Sequence, residues 1–394
     1  MLKFHSQWFK SQVSIGALFF FLGFQYSTWG ARLPTIKEHL GLNEAQVGML
    51  LLACGLGAAL SFPLVAMMMN KLGSRRVIYL SAIVLGALLP VLAWVPNYST
   101  AIFAMFCDGV ACALMNAAMN AQGATLEMKS QQNMMSKLHA TFSFGALFAA
   151  IFSSSIMHFT TNLSTHFIGA LVVLILLLVF TQIGLFSEDI KAPKKHTSRF
   201  KLPSHSTLFI GLALLFGTIT EGSMNDWSAL YLVENIGASP QIAPIGIAVV
   251  SIMMVLARLF ADGWRTRWGD RCVVMWGGVL ASFGLASALL IRGIVPTLIG
   301  FAFVGLGMAA VTPCLYVEAA KKGSLTLTLV ASMGQTGLLA GPPVIGFIST
   351  ASSLVCGMGF VALSAILVSL FATQISWTTS KDNDPKIIKC TEVK

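Results

Sequence analysis

Apolar residues follow one another along this chain in stretches of about 20, the length a helix needs to cross a hydrocarbon core about 30 Å thick. Charged residues and Gly/Pro turns interrupt them at regular intervals. Taking each stretch between its interruptions places helices over 12–33, 45–69, 77–95, 99–122, 137–158 and 164–187. Six more fall over 206–233, 240–262, 272–292, 295–318, 324–350 and 352–376. The first run follows Lys3 and Lys10 but is too long, and too polar at its end, for a cleaved signal, so it is expected to persist as a span. The one long polar interior stretch divides the series in half. The expected fold class is therefore an all-α integral membrane protein with twelve transmembrane helices in two pseudo-symmetric six-helix bundles. An N-terminal bundle is expected over 1–187, a cytoplasmic linker over 188–205, and a C-terminal bundle with a short cytoplasmic tail over 206–394.

Composition narrows the class. The 394 residues are 56% apolar and only 10% charged, against about a quarter charged in globular domains, and the mean hydropathy is +0.79. That excludes a soluble enzyme. Lys and Arg outnumber Asp and Glu by 25 to 15, yet so apolar a chain has no compact basic face for nucleic acid. Sidedness matters more. With both termini on one side, Lys71, Arg75, Arg76, Lys129, Lys137, Arg258, Arg265, Arg267, Arg271, Lys321 and Lys322 join the terminal and linker cations there, while only Arg32, Lys37 and Arg292 lie opposite. Cations collect in cytoplasmic loops during insertion, so the termini are expected to be cytoplasmic. The linker's Lys191, Lys194, Lys195, Arg199 and Lys201 read as an orientation signal. Seven cysteines are scattered, mostly inside apolar runs and without metal-ligand spacing, so no metal or cofactor is expected.

A shift of 196 residues pairs Gly41 with Gly237, Gly73 with Gly269, Gly109 with Gly305 and Gly145 with Gly341. It also superposes Asn70-Lys71-Leu72-Gly73-Ser74-Arg75 on Thr266-Arg267-Trp268-Gly269-Asp270-Arg271, each between the second and third spans of its half. Parallel six-helix halves explain this most simply. Here the chain resembles the major facilitator superfamily, whose members carry a Gly-x-x-x-Asp-Arg-x-Gly-Arg-Arg pattern in that loop. Ala66 and Asn70 depart from the pattern, while Lys71, Gly73, Arg75 and Arg76 keep to it. A narrower similarity, to the bacterial branch of YbjJ-like and MosC-like permeases, rests on Trp29-Gly-Ala-Arg32-Leu-Pro34, Met119-Asn120-Ala-Gln122, His139 and Glu221-Gly-Ser-Met-Asn-Asp226-Trp227-Ser228-Ala-Leu-Tyr231. The resemblance implies a carrier in the bacterial inner membrane, with first and seventh helices lining a central cavity.

Ionisable side chains are costly in a bilayer unless they face a cavity or a partner, so the few present point to a pathway. Asp108, Glu221 and Asp226 are the candidate proton carriers, Glu221 first. Asp108 reads equally as a buried acid held neutral by desolvation. Glu221 and Asn225 are one helical turn apart, and the repeat places Gln25 and Trp29 at the matching positions of the first span. Asn116 and Asn120 share the same spacing in the fourth span; their amides suit a hydroxyl-rich solute, or serve as interhelical hydrogen bonds. His139, Trp227, Tyr316 and Gln335 complete the candidate substrate contacts; belt aromatics explain Trp29 and Trp227 as well. Arg75 or Arg76 with Glu127, and Arg267 or Arg271 with Glu318, are candidate ion-pair gates. No Walker loop, His-Glu-x-x-His, Gly-x-Ser-x-Gly or paired-Cys pattern occurs, which disfavours ATP-driven transport and membrane hydrolysis.

The expected function is secondary transport of a small polar metabolite, of sugar, cyclitol or amino-sugar class, by alternating access with proton symport. Its partners are the solute, protons and the lipid bilayer, with a monomer as the working unit and no enzyme activity. A proton-coupled exporter of amphipathic compounds is one alternative, demoted because the fifth span lacks the Gly-Pro motif of many drug antiporters. A non-transporting membrane sensor or complex subunit is the other.

Overall fold

A computed structural model describes residues 2–130, 134–182, 184–187 and 205–378. Apart from its last residue, the expected linker 188–205 lies outside the described residues, as does the tail from 379. Every regular element among the described residues is a helix. In chain order these are α1 (Leu2–Ala31), α2 (Leu33–Leu40), α3 (Glu44–Leu60), α4 (Phe62–Trp94), α5 (Tyr98–Ser130), α6 (Met135–Phe159) and α7 (Leu163–Thr181). They continue with α8 (His205–Glu234), α9 (Ile245–Leu290), α10 (Ile294–Met308), α11 (Val311–Lys321), α12 (Ser324–Ala351) and α13 (Leu354–Gln374).

Helix occupies most of each of the twelve expected spans, although 164–187 is helical only to Thr181 and 240–262 only from Ile245, and they are not twelve separate helices. α3 runs on into the start of α4 as one pass, and α10 and α11 together make another. α4 and α9 each bridge two passes through a glycine in left-handed extended geometry, Gly73 at φ 74°, ψ 161° and Gly269 at φ 80°, ψ 154°. An L side chain rarely adopts that conformation, so glycine is what turns the chain there. Their agreement gives the sequence repeat a structural counterpart. The pair Gly109 and Gly305 adds a second: a Cβ on Gly109 would collide with the Cys54 carbonyl, and one on Gly305 would lie 2.5 Å from that of Val250, the residue 196 positions beyond Cys54. The fourth pair differs, since Gly145 abuts the Phe20 backbone whereas Gly341 faces the Ile219 side chain.

The helix α2 was not expected. Pro34 sits in its first turn, where no intrahelical donor is lost, and Gly41 ends it at φ 63°. Asn43 and Gln46 then form a reciprocal capping box that starts α3. Asn162 caps α7 by accepting from the Thr165 amide at 3.0 Å, and Ser353 caps α13 through the Cys356 amide at 3.3 Å.

Packing divides the chain into two units, Met1–Lys194 with Ser239–Ala248, and Lys195–Ala238 with Val249–Lys394. In the first, α1 lies along α6 while α3 and α4 both pack on α5; in the second, α8 lies along α12 and α13. The segment ends are tied down by equivalent residues. Gln122 of α5 donates to the Phe186 carbonyl at 2.9 Å and accepts from its amide at 2.9 Å. Glu318, 196 positions on, accepts from the Thr378 amide at 2.9 Å and its hydroxyl at 2.6 Å.

Candidate functional site

Each unit holds a polar cluster among apolar helices that includes a candidate proton carrier. In the second, most hydroxyls of α8 are satisfied close to home. Thr220 and Ser223 donate to the carbonyls of Phe216 and Ile219, one turn back, and Thr218 reaches the Gly334 carbonyl of α12 at 2.8 Å. Glu221 has no such local solution, because a carboxylate only accepts. Near the centre of α8, it lies 3.2 Å from Nη2 of Arg258 on α9 and accepts from the Thr312 hydroxyl of α11 at 3.4 Å. Arg258 also donates through Nε to the Ala309 carbonyl at 3.3 Å, at the break between α10 and α11. Both charged side chains keep about a quarter of their surface, 26% for Arg258 and 27% for Glu221.

Arg258 corrects the charge reading, which counted it among the cytoplasmic cations. It faces the middle of α8, because a carboxylate there supplies the counter-charge that a loop position would not need. Of this cluster, the pattern of the sequence pointed to Glu221 alone. The signal for Arg258 was available: it lies inside the predicted span 240–262, and an intramembrane cation calls for an acid on a neighbouring helix. Asn225, one turn beyond Glu221, and Tyr316, one turn beyond Thr312, are half-buried; Gln335 on α12 is exposed. Asp226 and Trp227 are buried, and the Trp227 indole N–H has no hydrogen-bond partner among the described residues.

In the first unit, Gln25 of α1 donates from Nε2 to Oδ1 of Asp108 on α5 at 2.7 Å, while the Cys54 thiol of α3 lies 3.8 Å from the other carboxyl oxygen. Gln25 and Asp108 are 1% and 4% exposed. Trp29, one turn beyond Gln25, joins Asp108 in lining a void of about 10 Å³ with Leu88, Leu89, Leu92, Ala104 and Met105. That is room for about one water, so in this structure these residues form a packed contact rather than a chamber of solute size. The stripe expected on α1 thus turns into its own unit: an apolar interior offers the Gln25 amide no acceptor as good as Asp108.

Asn116 and Asn120 bond each other, the Asn120 amide donating to Oδ1 of Asn116 at 2.6 Å and to its carbonyl at 2.8 Å. Among the described residues their hydrogen bonds reach no other helix. Asn116 is exposed and Asn120 half-buried. The exposed His139 sets its ring edge against Phe19, centroids 4.9 Å apart. The two expected gate pairs are replaced by other contacts. Glu127 accepts from the amides of Met134 and Met135 at the start of α6, at 2.6 and 2.8 Å, and Arg75 donates to Ser187. The reason is proximity along the chain: the opening amides of a helix are the nearest unsatisfied donors to Glu127. Glu318 takes Thr378 with Lys321 and Lys322, its neighbours on the same helix face, while Arg265 and Lys321 take Asp270, leaving Arg267 and Arg271 outside these pairs.

The family model of the Major Facilitator Superfamily matches residues 14–324. The chain belongs to this superfamily. An uncharacterized MFS-type transporter of Yersinia pestis is 33% identical over 371 residues, covering 93% of this chain and 96% of that protein. Membrane protein MosC of Rhizobium meliloti is 28% identical over 358 residues, covering 89% and 86%. These two place the chain in a MosC-like branch. A mutant of the nucleoside transporter NupG superposes with a TM-score of 0.73 over 92% of this chain and 99% of its own length, at 16% identity. At that identity the likeness concerns the fold. The chain is thus a multi-pass membrane transporter of the superfamily, embedded in the lipid bilayer and binding small-molecule substrates.

Proposed function

We propose that this transporter moves a small polar metabolite of the sugar, cyclitol or amino-sugar class across the bacterial cytoplasmic membrane by proton symport, with alternating access as its cycle. The observation that carries the reading is Glu221: an acid at mid-helix, partly open, paired with one cation and one hydroxyl on two other helices. A proton taken up by its carboxylate removes the charge that holds Arg258, and the freed guanidinium and Thr312 hydroxyl then have donors to offer a solute. A proton and a hydroxyl-rich solute therefore engage the same three side chains in turn. Half-buried Asn225 and Tyr316 and exposed Gln335, in the same unit, supply further polar contacts. A nucleoside, the cargo in NupG's name, carries similar hydroxyls. The working unit in this reading is a monomer with both termini in the cytoplasm.

The test is Glu221→Gln in proteoliposomes, first against a panel of hydroxylated metabolites to find the cargo. Accumulation driven by an inward pH gradient should be lost while solute exchange at equal pH on both sides survives. Unaltered gradient-driven uptake removes Glu221 from coupling, and drug or dye efflux in place of metabolite uptake favours the exporter.

A further inference from the structure

Arg32, between α1 and α2, is fully buried and pairs with no acid among the described residues. Its side chain makes one hydrogen bond, from Nη2 to the Thr161 carbonyl at 2.5 Å, and its Nε and Nη1 groups meet no acceptor among the described residues. An unpaired ion in an apolar interior carries a desolvation penalty that a single neutral carbonyl does not offset.

The surroundings repeat the same imbalance. His166, in the first turn of α7, is fully buried within electrostatic reach of Arg32. Its Nε2 lies 3.2 Å from the Ser153 hydroxyl, which leaves Nδ1 without a partner. When Ser153 donates to Nε2, Nδ1 carries the proton and becomes one more unused donor. One turn before Arg32, the buried indole N–H of Trp29 is also unpartnered. Thr161, whose carbonyl Arg32 holds, comes immediately before Asn162, the cap of α7, so the positive end of that helix dipole adds to the guanidinium. A cavity of about 230 Å³ opens at the same helix ends, lined by Thr35, one turn beyond Arg32, and by His39, Ala93, Asn162, Leu163 and Ser164. Buried donors, a fixed positive charge and adjacent space share one deficit, a negative charge.

We propose that Arg32 and His166 form a binding site for a monovalent anion, either chloride or the carboxylate of a small solute, which neutralises the buried guanidinium. Arg32 thereby becomes a ligand-holding residue, a role that stands whether or not Glu221 couples transport to protons.

The experiment uses the full chain in detergent. Thermal unfolding is followed as chloride, or separately acetate, replaces sulfate at constant ionic strength, and binding of radiolabelled chloride and acetate is measured directly on the wild type. An anion bound only by the folded state raises the midpoint until the site fills. Saturable stabilisation matched by saturable binding supports the site; saturation by chloride identifies an inorganic anion, and saturation by acetate alone identifies a carboxylate. Arg32→Gln should abolish both responses, and His166→Phe, which keeps the ring volume, should weaken half-saturation about tenfold through loss of one donor to a charged ligand. Should Arg32→Gln fail to fold, the wild-type binding data and His166→Phe decide. No saturable binding of either anion to the wild type, or half-saturation unchanged in both variants, overturns the proposal.

Discussion

A carboxylate in the middle of a membrane helix is tolerable only where something compensates it, and at Glu221 the compensation is divided between a charge and a hydroxyl. Because both ends of the Glu221–Arg258 pair retain about a quarter of their surface, its strength falls between that of an exposed pair, under about 1 kcal/mol, and a buried one, about 3–5 kcal/mol when one partner is removed. Arg258→Met should therefore lower unfolding stability by about 2 kcal/mol. The same substitution in a Glu221→Gln background should cost far less, since the partner it strands is gone. Unfolding by SDS titration of the four proteins measures the coupling, and equal losses in both backgrounds would show that the pair is not energetically joined. Single residues also mark where the sequence was least legible. Glu221 stood out because its helix carries few ionisable groups, whereas Arg258 was hidden by nearby cations such as Arg265 and Arg267. Asp108 was visible as an acid and Gln25 as an amide, but nothing in one dimension says that α1 and α5 bring them within 2.7 Å.

At the scale of elements, the pattern of apolar runs predicted passes better than it predicted helices. Helicity does not stop where a pass stops: α9 continues for 46 residues through a single left-handed glycine. The loop between passes is therefore built from one residue's dihedrals rather than from a polar connector. Replacing Gly73 or Gly269 with Ala should cost about 1–3 kcal/mol, the penalty for holding a Cβ in an extended positive-φ region that is essentially reserved to glycine. No neighbour lies within 4 Å of the added atom at Gly269, so there the loss would be conformational alone. Unfolding of Gly269→Ala beside a control such as Gly263→Ala, which also meets nothing but lies in ordinary helical backbone, isolates that term. Equal stability of the two would mean the turn tolerates a side chain. The short α2 escaped the pattern for the opposite reason. Its signals are a proline at the start and a glycine at the end, which mark a boundary without stating that eight residues between them are helical.

At the scale of the whole molecule, the charge asymmetry that orients the chain is sharper than the residue count suggested. Of the three cations assigned to the far side, Arg32 is buried, and Lys37 is paired with Glu44 at 3.0 Å. Among the described residues, Arg292 is the one of the three that is exposed and outside an ion pair. Removing Arg258 from the near side changes little, because Lys71, Arg75, Arg76, Arg265, Arg267, Arg271, Lys321 and Lys322 remain there. Orientation follows cations close to the ends of spans in short loops, and these loops are short, so the bias acts on nearly every pass. Placing the near side in the cytoplasm makes a direct prediction. In a background lacking the seven native cysteines, Lys71→Cys should react with a membrane-impermeant maleimide only in inside-out vesicles, and Arg292→Cys only in right-side-out ones. Both positions are exposed, so failure to label would not be explained by burial. Labelling of both from one face would mean an even number of passes between them and would break the twelve-pass arrangement; exchange of the two faces would keep the passes and reverse the chain.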